Sequence, residues 1–596
     1  MKRYWIIMVL LCSAFSAAAV LYLYQTPASP AAPTAPSPAA PALSSFMPEG
    51  ALLYIEAKNF AGLLKEWDDS PEKSEWVKSD SLAVFSNSHL YLRLKAAQNQ
   101  FAEAAGLPPD EKFINEAAGG QSALAIYDIG KLEMLYITEL PAARSMQTAL
   151  WQMHGKFETR SAGAQLFFVG KDQKSERVVA FAITDRYLIL GTREELVANA
   201  LHLIAGEKLS TIEQQDWFTR SRAASGEAGD LRMILNLEEI AVSPQFRSYW
   251  IQQNITEMQG YSASVSNLYR SGKDYREERV LLREPEAKMP ADAPHAVITP
   301  EGERAVADLL GNLPADYGVY RVLANPKPEY CSSTIAAKIL SPHIDSAPDG
   351  KLAPAVAVTS EGPGSASELE TRIDEAPSDS NSEDTTGSNA PRALTEIVRR
   401  SGPLAMLSLQ STRKDSNGTL LNISTGFVLV ASADWDAQAV RSALQTAIRP
   451  GVTAATLGVG WRQAGARSND YFELDGLIPL TMATRGRKLF IANDAQVMLA
   501  MLQSAPVQSP GPAIYAAGFR HDREQENFAH LAHVLDHSSA AWGTGSSRRA
   551  PEGEPGFFSG NISSLSRALS GVASESVLVR QSGDKVIQTV VYHWSQ

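Results

Sequence analysis

Five sequence elements recur in the same order along the chain, and this repetition constrains the fold more than any other feature. "PEGALLYIEAKN" (48–59) is matched by "PADYGVYRVLAN" (314–325), with Pro48, Tyr54 and Asn59 against Pro314, Tyr320 and Asn325. Each reads as a turn entering a short apolar strand. "SALAIYDIGKLEMLYITEL" (122–140) and "GPLAMLSLQSTRKDSNGTLLNISTGFVLVA" (402–431) are hairpins, the second with a longer polar loop. "FAITDRYLILGTREELVANALHLIAG" (181–206) and "PLTMATRGRKLFIANDAQVMLAMLQ" (479–503) are hairpins running into amphipathic helices. Here Arg186 stands against Arg487 and Leu188 against Leu489. Each half closes on a helix and two strands around a Ser-Gly turn, in "NLYRSGKDYREERVLLRE" and "VLVRQSGDKVIQTVVYHW".

Hairpins alternating with helices imply an α+β fold. The expectation is two related domains, each a mainly antiparallel sheet with packed helices, after an N-terminal membrane helix. The expected division is a membrane anchor or signal segment (1–24) and a Pro/Ala-rich stalk (25–44), then a first domain (45–285) with a helical insert (60–105). A linker (286–302) leads to a second domain (303–596) that carries a disordered acidic loop (345–391). The length of 596 residues suits two large domains, and 44% hydrophobic with 20% charged residues is a globular composition.

The N-terminus narrows the location. Lys2 and Arg3 precede "YWIIMVLLCSAFSAAAVLYLY" (4–24), which carries no charge. At 1.5 Å per residue such a helix spans roughly 30 Å, the thickness of a bilayer core. Positive charge before the span favours export of the chain beyond it. The small residues around Ala19 also allow cleavage as a signal peptide, which would release the protein. Leu11 before Cys12 disfavours lipid attachment there. The six prolines of 26–42 favour extended polyproline II and suit a semi-rigid stalk.

Charge and cysteine content exclude several classes. A formal charge of −12 argues against sequence-independent nucleic-acid binding, and offers no broad basic face for an anionic membrane surface. The two cysteines are Cys12, inside the apolar segment, and Cys331, so the remainder holds no intramolecular disulfide and no Cys-based zinc site.

The halves differ where function could diverge. After its first strand the first half inserts a helical stretch in which Leu90, Leu94, Ala97, Phe101 and Ala104 recur at helical spacing. This is a cover for the sheet, or a lid or docking surface with Trp67 and Trp76 as aromatic anchors. At the equivalent place the second half holds eight carboxylates and one Arg over 361–384, too few apolar residues to offset ordering. Glu56, inside the first strand, has Val322 as its counterpart; period-two alternation puts it on a solvent face.

"HLAHVLDH" (530–537) places His530, His533 and His537 on one face of a helix. They are metal candidates, but no HExxH pair supplies a base beside a metal, and His530 and His537 lie roughly 10 Å apart along a helix. The matching helix of the first half has no histidine. A histidine cluster at the edge of a buried face is the favoured reading, with no metal and no cofactor expected. No GxSxG elbow, phosphate loop or GxGxxG motif comes after a strand, and "GVGWRQAG" (458–465) has the wrong spacing.

"FAGLLKEWDDSPEKSEWVKSDSLAVFSNSHLYLRL", with "SALAIYDIGKLEMLYITELP" and "RYLILGTREELVANAL" after it, resembles uncharacterised bacterial exported proteins. These are similar to a family classed as a domain of unknown function in acidobacterial and related envelope proteins. The resemblance runs over about 45–285. It implies an envelope location and brings no activity and no catalytic residues. The expected function is therefore membrane-anchored, extracytoplasmic binding or scaffolding with an unknown envelope protein or ligand as partner. The alternatives are an envelope hydrolase or metal-dependent enzyme with a site between the halves, and a small-ligand sensor.

Overall fold

The computed structural model describes residues 41–68, 89–243, 260–271, 274–283, 298–311, 313–340, 390–414, 421–447, 460–465, 469–474, 480–503, 511–524 and 571–594, with a few isolated positions. The apolar segment 4–24, the stalk up to residue 40, Trp76, most of the acidic loop 345–391, and His530, His533 and His537 lie outside the described residues. Among the described residues no helix is long and apolar enough to cross a membrane.

The fold is α+β with antiparallel strand pairing. Two compact units divide the chain between residues 293 and 294, with 582–589 grouped with the first. The first contains β1 (Leu53–Ala57), β2 (Ser122–Asp128), β3 (Glu133–Glu139), β4 (Glu158–Ala162), β5 (Gln165–Lys171), β6 (Val178–Ile183), β7 (Tyr187–Gly191), β8 (Leu231–Asn236), β9 (Tyr261–Ser271) and β10 (Asp274–Arg283). Its strands lie in the order β4-β5-β6-β7-β3-β2-β1-β8-β9-β10.

The strands after residue 294 are β11 (Val319–Ala324), β12 (Pro403–Lys414), β13 (Leu421–Ala431), β14 (Trp461–Ala464), β15 (Tyr471–Leu474), β16 (Leu480–Arg485), β17 (Lys488–Ala492), β18 (Tyr515–Phe519), β19 (Val572–Ser582) and β20 (Lys585–Trp594). They lie in the order β14-β15-β16-β17-β13-β12-β11-β18-β19. β20 returns from β19 through Gly583, whose φ of +61° is a left-handed turn conformation that favours glycine.

The registers can be traced from one matched turn to the next. Leu188 of β7 stands opposite Thr138, Thr138 opposite Ser122, and Ser122 opposite Ala57. Leu489 of β17 stands opposite Leu429, Leu429 opposite Met406, and Met406 opposite Leu323. Ala57 and Leu323 each lie three residues after a tyrosine, Tyr54 and Tyr320. The ladder thus returns the tyrosine match read from the sequence.

Both faces of the central strands of each unit are covered. In the first unit Tyr54, Leu135 and Ile189 pack with Leu196, Val197 and Leu201 of the helix Glu194–Ile204. On the opposite face Val179, Phe181 and Leu190 meet Leu64, Phe101, Ala104, Phe113 and Ile114. These come from α1 (Phe60–Asp68), α2 (His89–Ala105) and α3 (Glu111–Ala117), the last capped by Asp110, whose carboxylate accepts from the Phe113 N–H. The insert after β1 therefore supplies core residues. α1 turns Leu63, Leu64 and Trp67 inward, so Trp67, at 3% exposure, packs as a cover residue does and is not the exposed anchor of the docking alternative.

In the second unit Val322, Leu407 and Val428 pack against Val306 and Leu309 of the helix Pro300–Leu310 and against Met498 and Met501 of the helix Ala495–Gln503. Phe427, Leu429 and Met482 pack on the other face with Cys331, Leu394 and Leu444. Helix Pro300–Leu310 starts within the stretch expected to be linker, because Thr299 caps the Gly302 N–H and Pro300 pre-sets the first turn.

Candidate functional site

At the C-terminal end of β1, Glu56 lies directly opposite Arg232 of β8, and Arg232 directly opposite Asn267 of β9. The three form one row across three adjacent strands. Glu56 is not on a solvent face: the helix Asp216–Ala224 packs over this side of the sheet, and only 14% of the Glu56 side chain is exposed. Alternation reports the two faces of a strand, and here neither face is open water.

Each charge is held by a second group. The buried Tyr54 hydroxyl donates to Glu56 Oε2 at 3.0 Å. Burial, reinforced by the Glu56 charge, raises the Tyr54 phenol well above its ordinary range, so it stays a neutral donor. Arg232 Nε donates to Asn267 Oδ1 at 2.7 Å and Nη2 to the Gly226 carbonyl at 2.6 Å. Its Nη1 stands 3.6 Å from Glu56 Oε1, an ion-pair distance longer than a hydrogen bond. Asn267 Oδ1 also accepts from the Gly229 N–H at 3.3 Å, while its buried Nδ2 has no hydrogen-bond partner.

Gly229 is required by this packing. A Cβ there would lie 2.2 Å from the Leu268 carbonyl oxygen, so only glycine lets the loop before β8 approach β9 closely. Ring contacts complete the support: Tyr54 and Phe218 meet edge-on at 5.3 Å, and Arg222 lies over Phe218 at 5.9 Å. Arg222 Nη1 donates to Ser44 Oγ at 3.2 Å and to Glu213 Oε1 at 3.1 Å.

Glu56 and Arg232 open on a cavity of about 400 Å³, with Asn267 behind them outside its lining. Glu56, Lys58, Gln121, Arg222, Glu227 and Arg232 supply its polar lining, and Ala42 reaches its edge. Lys58 and Glu227 approach at 3.5 Å with side chains 52% and 89% exposed, a weak solvent-screened pair at the mouth.

The matching row of the second unit is Val322, Ala516 and Leu578, paired in the same way. Val322 and Ala516 are buried and Leu578 packs against the same apolar cluster. One sheet thus carries a carboxylate, a guanidinium and an amide where the other carries three aliphatic side chains.

The second unit buries a different polar group. Glu524, 1% exposed, accepts from the Thr412 N–H and hydroxyl, and burial raises its carboxyl above the ordinary carboxylate value. His521 lies 3.9 Å from Glu575, and its buried Nε2 makes no hydrogen bond. Cys331 is buried, and its thiol is pushed up to about 12 by desolvation, which suppresses the reactive thiolate.

Among the described residues no group of three or more His, Cys, Asp or Glu side chains is placed to hold a metal. Of the residues singled out in the sequence, Trp67 lies apart from the cavity lining. Sequence patterning does not single out Arg232, Asn267 or Arg222. The readable signal is an arginine inside the apolar strand "LRMILN" whose register partner in the other half is Ala516.

No protein-family model matches the chain, and no curated protein matches it. Solved structures of TP0453 are similar at low level. Its crystal form IV has 10% identity and a TM-score of 0.22, covering 40% of this chain and 79% of that one. Crystal form III has 8% identity and a TM-score of 0.23, covering 46% and 87%. Likeness at that level carries no argument about fold or activity.

Proposed function

We propose that this protein is a membrane-anchored, extracytoplasmic binding protein built from two copies of one α+β domain, with its binding site in the first copy. The anchor reading rests on the uncharged segment 4–24 behind Lys2 and Arg3 and on the proline-rich stretch after it. The duplication reading is supported by strand orders that run in parallel from β4 to β9 and from β14 to β19, and by ladders that align Tyr54 with Tyr320.

The observation that carries the binding reading is the substituted row. The second copy folds with Val322, Ala516 and Leu578 at these places, so the sheet has no need of charge there. Replacing a buried ion pair by apolar groups is commonly neutral or stabilising by about 1–4 kcal/mol. Glu56, Arg232 and Asn267 therefore stand against the stability interest of the fold, which supports a role in recognition. The cavity volume of about 400 Å³ falls within the roughly 300–1,000 Å³ range of small-molecule sites.

The test is fractionation and crosslinking of the full-length protein in its native envelope. Export predicts that the protein sediments with membranes and is cut by protease added from outside. Recovery in the cytoplasm would overturn the anchored reading. A bound molecule retained by the native protein and lost in Glu56→Val/Arg232→Ala/Asn267→Leu, which copies the second row, supports the site; retention by that variant removes it.

A further inference from the structure

We infer that the Glu56–Arg232 cleft takes a small zwitterion, an amino acid or a short peptide with both termini free. This inference rests on the binding reading above.

The two deep charges are fixed before any ligand arrives. Tyr54 orients Glu56, while Asn267 and the Gly226 carbonyl orient Arg232. Their facing atoms, Nη1 and Oε1, are 3.6 Å apart and make no hydrogen bond to each other. A guanidinium nitrogen with N–H groups still to place lies beside a carboxylate oxygen with lone pairs still to fill. A ligand carboxylate on Nη1 and a ligand ammonium on Oε1 would use both and leave no buried charge uncompensated.

The rest of the lining repeats the alternation of sign. Lys58 and Glu227 form a second opposite pair at the mouth, and Arg222 adds a positive charge already held by Glu213. A purely anionic ligand would meet Glu56 and Glu227, and a purely cationic one would meet Arg222 and Arg232. A neutral ligand would desolvate all of these groups and bring no charge of its own to offset that cost. A zwitterion complements both signs.

The experiment is calorimetric titration of the full-length protein with L-alanyl-L-alanine, with its N-acetylated, C-amidated form, and with glucose. The free dipeptide should bind at least about tenfold more tightly than either comparison compound. Glu56→Val/Arg232→Ala/Asn267→Leu, which carries the apolar side chains of the second row, should still melt cooperatively and should lose dipeptide binding. Arg232→Lys should keep part of the affinity and so separate loss of charge from loss of fold. Equal binding of the blocked dipeptide, or absence of binding by the free one, overturns the zwitterion assignment. Glucose binding that disappears in the triple variant overturns the ligand class while keeping the site. Dipeptide binding that survives the triple variant overturns the cleft as the site. Failure of the broader binding reading appears separately, as an envelope-bound molecule that ignores the triple variant.

Discussion

Arg232 and Glu56 sit opposite each other on neighbouring strands, yet each makes its hydrogen bonds elsewhere. The pair is thus electrostatic, with its geometry set by Tyr54, Asn267 and Gly226. Removing one member strands the other, and removing both relieves the desolvation of each. We expect Arg232→Met to destabilise the protein by about 3 kcal/mol, and Glu56→Val/Arg232→Met, which keeps the apolar volume of both side chains, to recover much of that loss. A double-mutant cycle in urea measures the difference. A double variant as unstable as Arg232→Met would mean that the cost lies in the lost hydrogen bonds to Asn267 and Gly226 and not in a stranded Glu56 charge.

Gly229 tests how tightly the site is braced. Gly229→Ala places a Cβ against the Leu268 carbonyl, which a backbone shift must relieve. The expected cost is about 2 kcal/mol, with a fall in whatever affinity depends on Arg232, because the shift moves the loop carrying Gly226. Gly226→Ala, where a Cβ meets nothing within 4 Å, is the control and should be close to neutral in stability. Equal effects of the two substitutions would remove the packing argument.

Buried phenols set the alkaline limit. Desolvation raises Tyr54 and pushes Tyr136 up to about 12, while an unfolded tyrosine ionises near 10. Above about pH 10 the unfolded chain releases protons that the folded chain retains, so stability falls as pH rises. Phenolate absorbance followed with pH should show a group of phenols that titrates only with unfolding. Complete, reversible titration near pH 10 with the fold intact would contradict their burial.

Glu524 should act in the opposite sense to most carboxylates. Its folded value is raised by burial, so the fold holds its proton at pH values where the unfolded chain has lost it. Its contribution is therefore present at low pH and declines as pH rises from the unfolded carboxylate value through the folded one. Glu524→Gln, which keeps an acceptor for Thr412, should flatten that decline in urea titrations between about pH 4 and 7, a window around the reference pKa of Glu. An unchanged pH profile would mean the Glu524 carboxyl titrates as it does in water.

Much of the architecture is legible in the sequence because local pattern and turn chemistry agree. The strand around Tyr54, its partner around Tyr320, and the two hairpin-to-helix units around Leu188 and Leu489 all appear where apolar alternation and turn residues place them. The site is less legible for one physical reason. The central strands are covered on both faces, so there alternation separates faces without telling inside from outside. Alternation alone therefore sends Glu56 to water, and helical spacing groups Trp67 with apolar residues without telling a buried stripe from a docking one, whereas α1 turns it inward. Asn267 is hidden because a buried amide in a serine-rich strand looks like an edge. Only the register, which joins residues 56, 232 and 267 into one row, brings the polar groups together.

The described chain enters its first unit through a short 3-10 turn, Leu43–Phe46, whose Leu43, Ser44 and Phe46 are buried. Ser44 accepts from Arg222, Pro48 bridges to Thr211, and Ala42 touches the cavity edge. A pull on the chain ahead of residue 42 would load this turn first and pass at once to Arg222. Because Leu43 and Phe46 also sit in the core with Tyr54 and Ile189, a strain at this turn would reach the cleft and the central strands together.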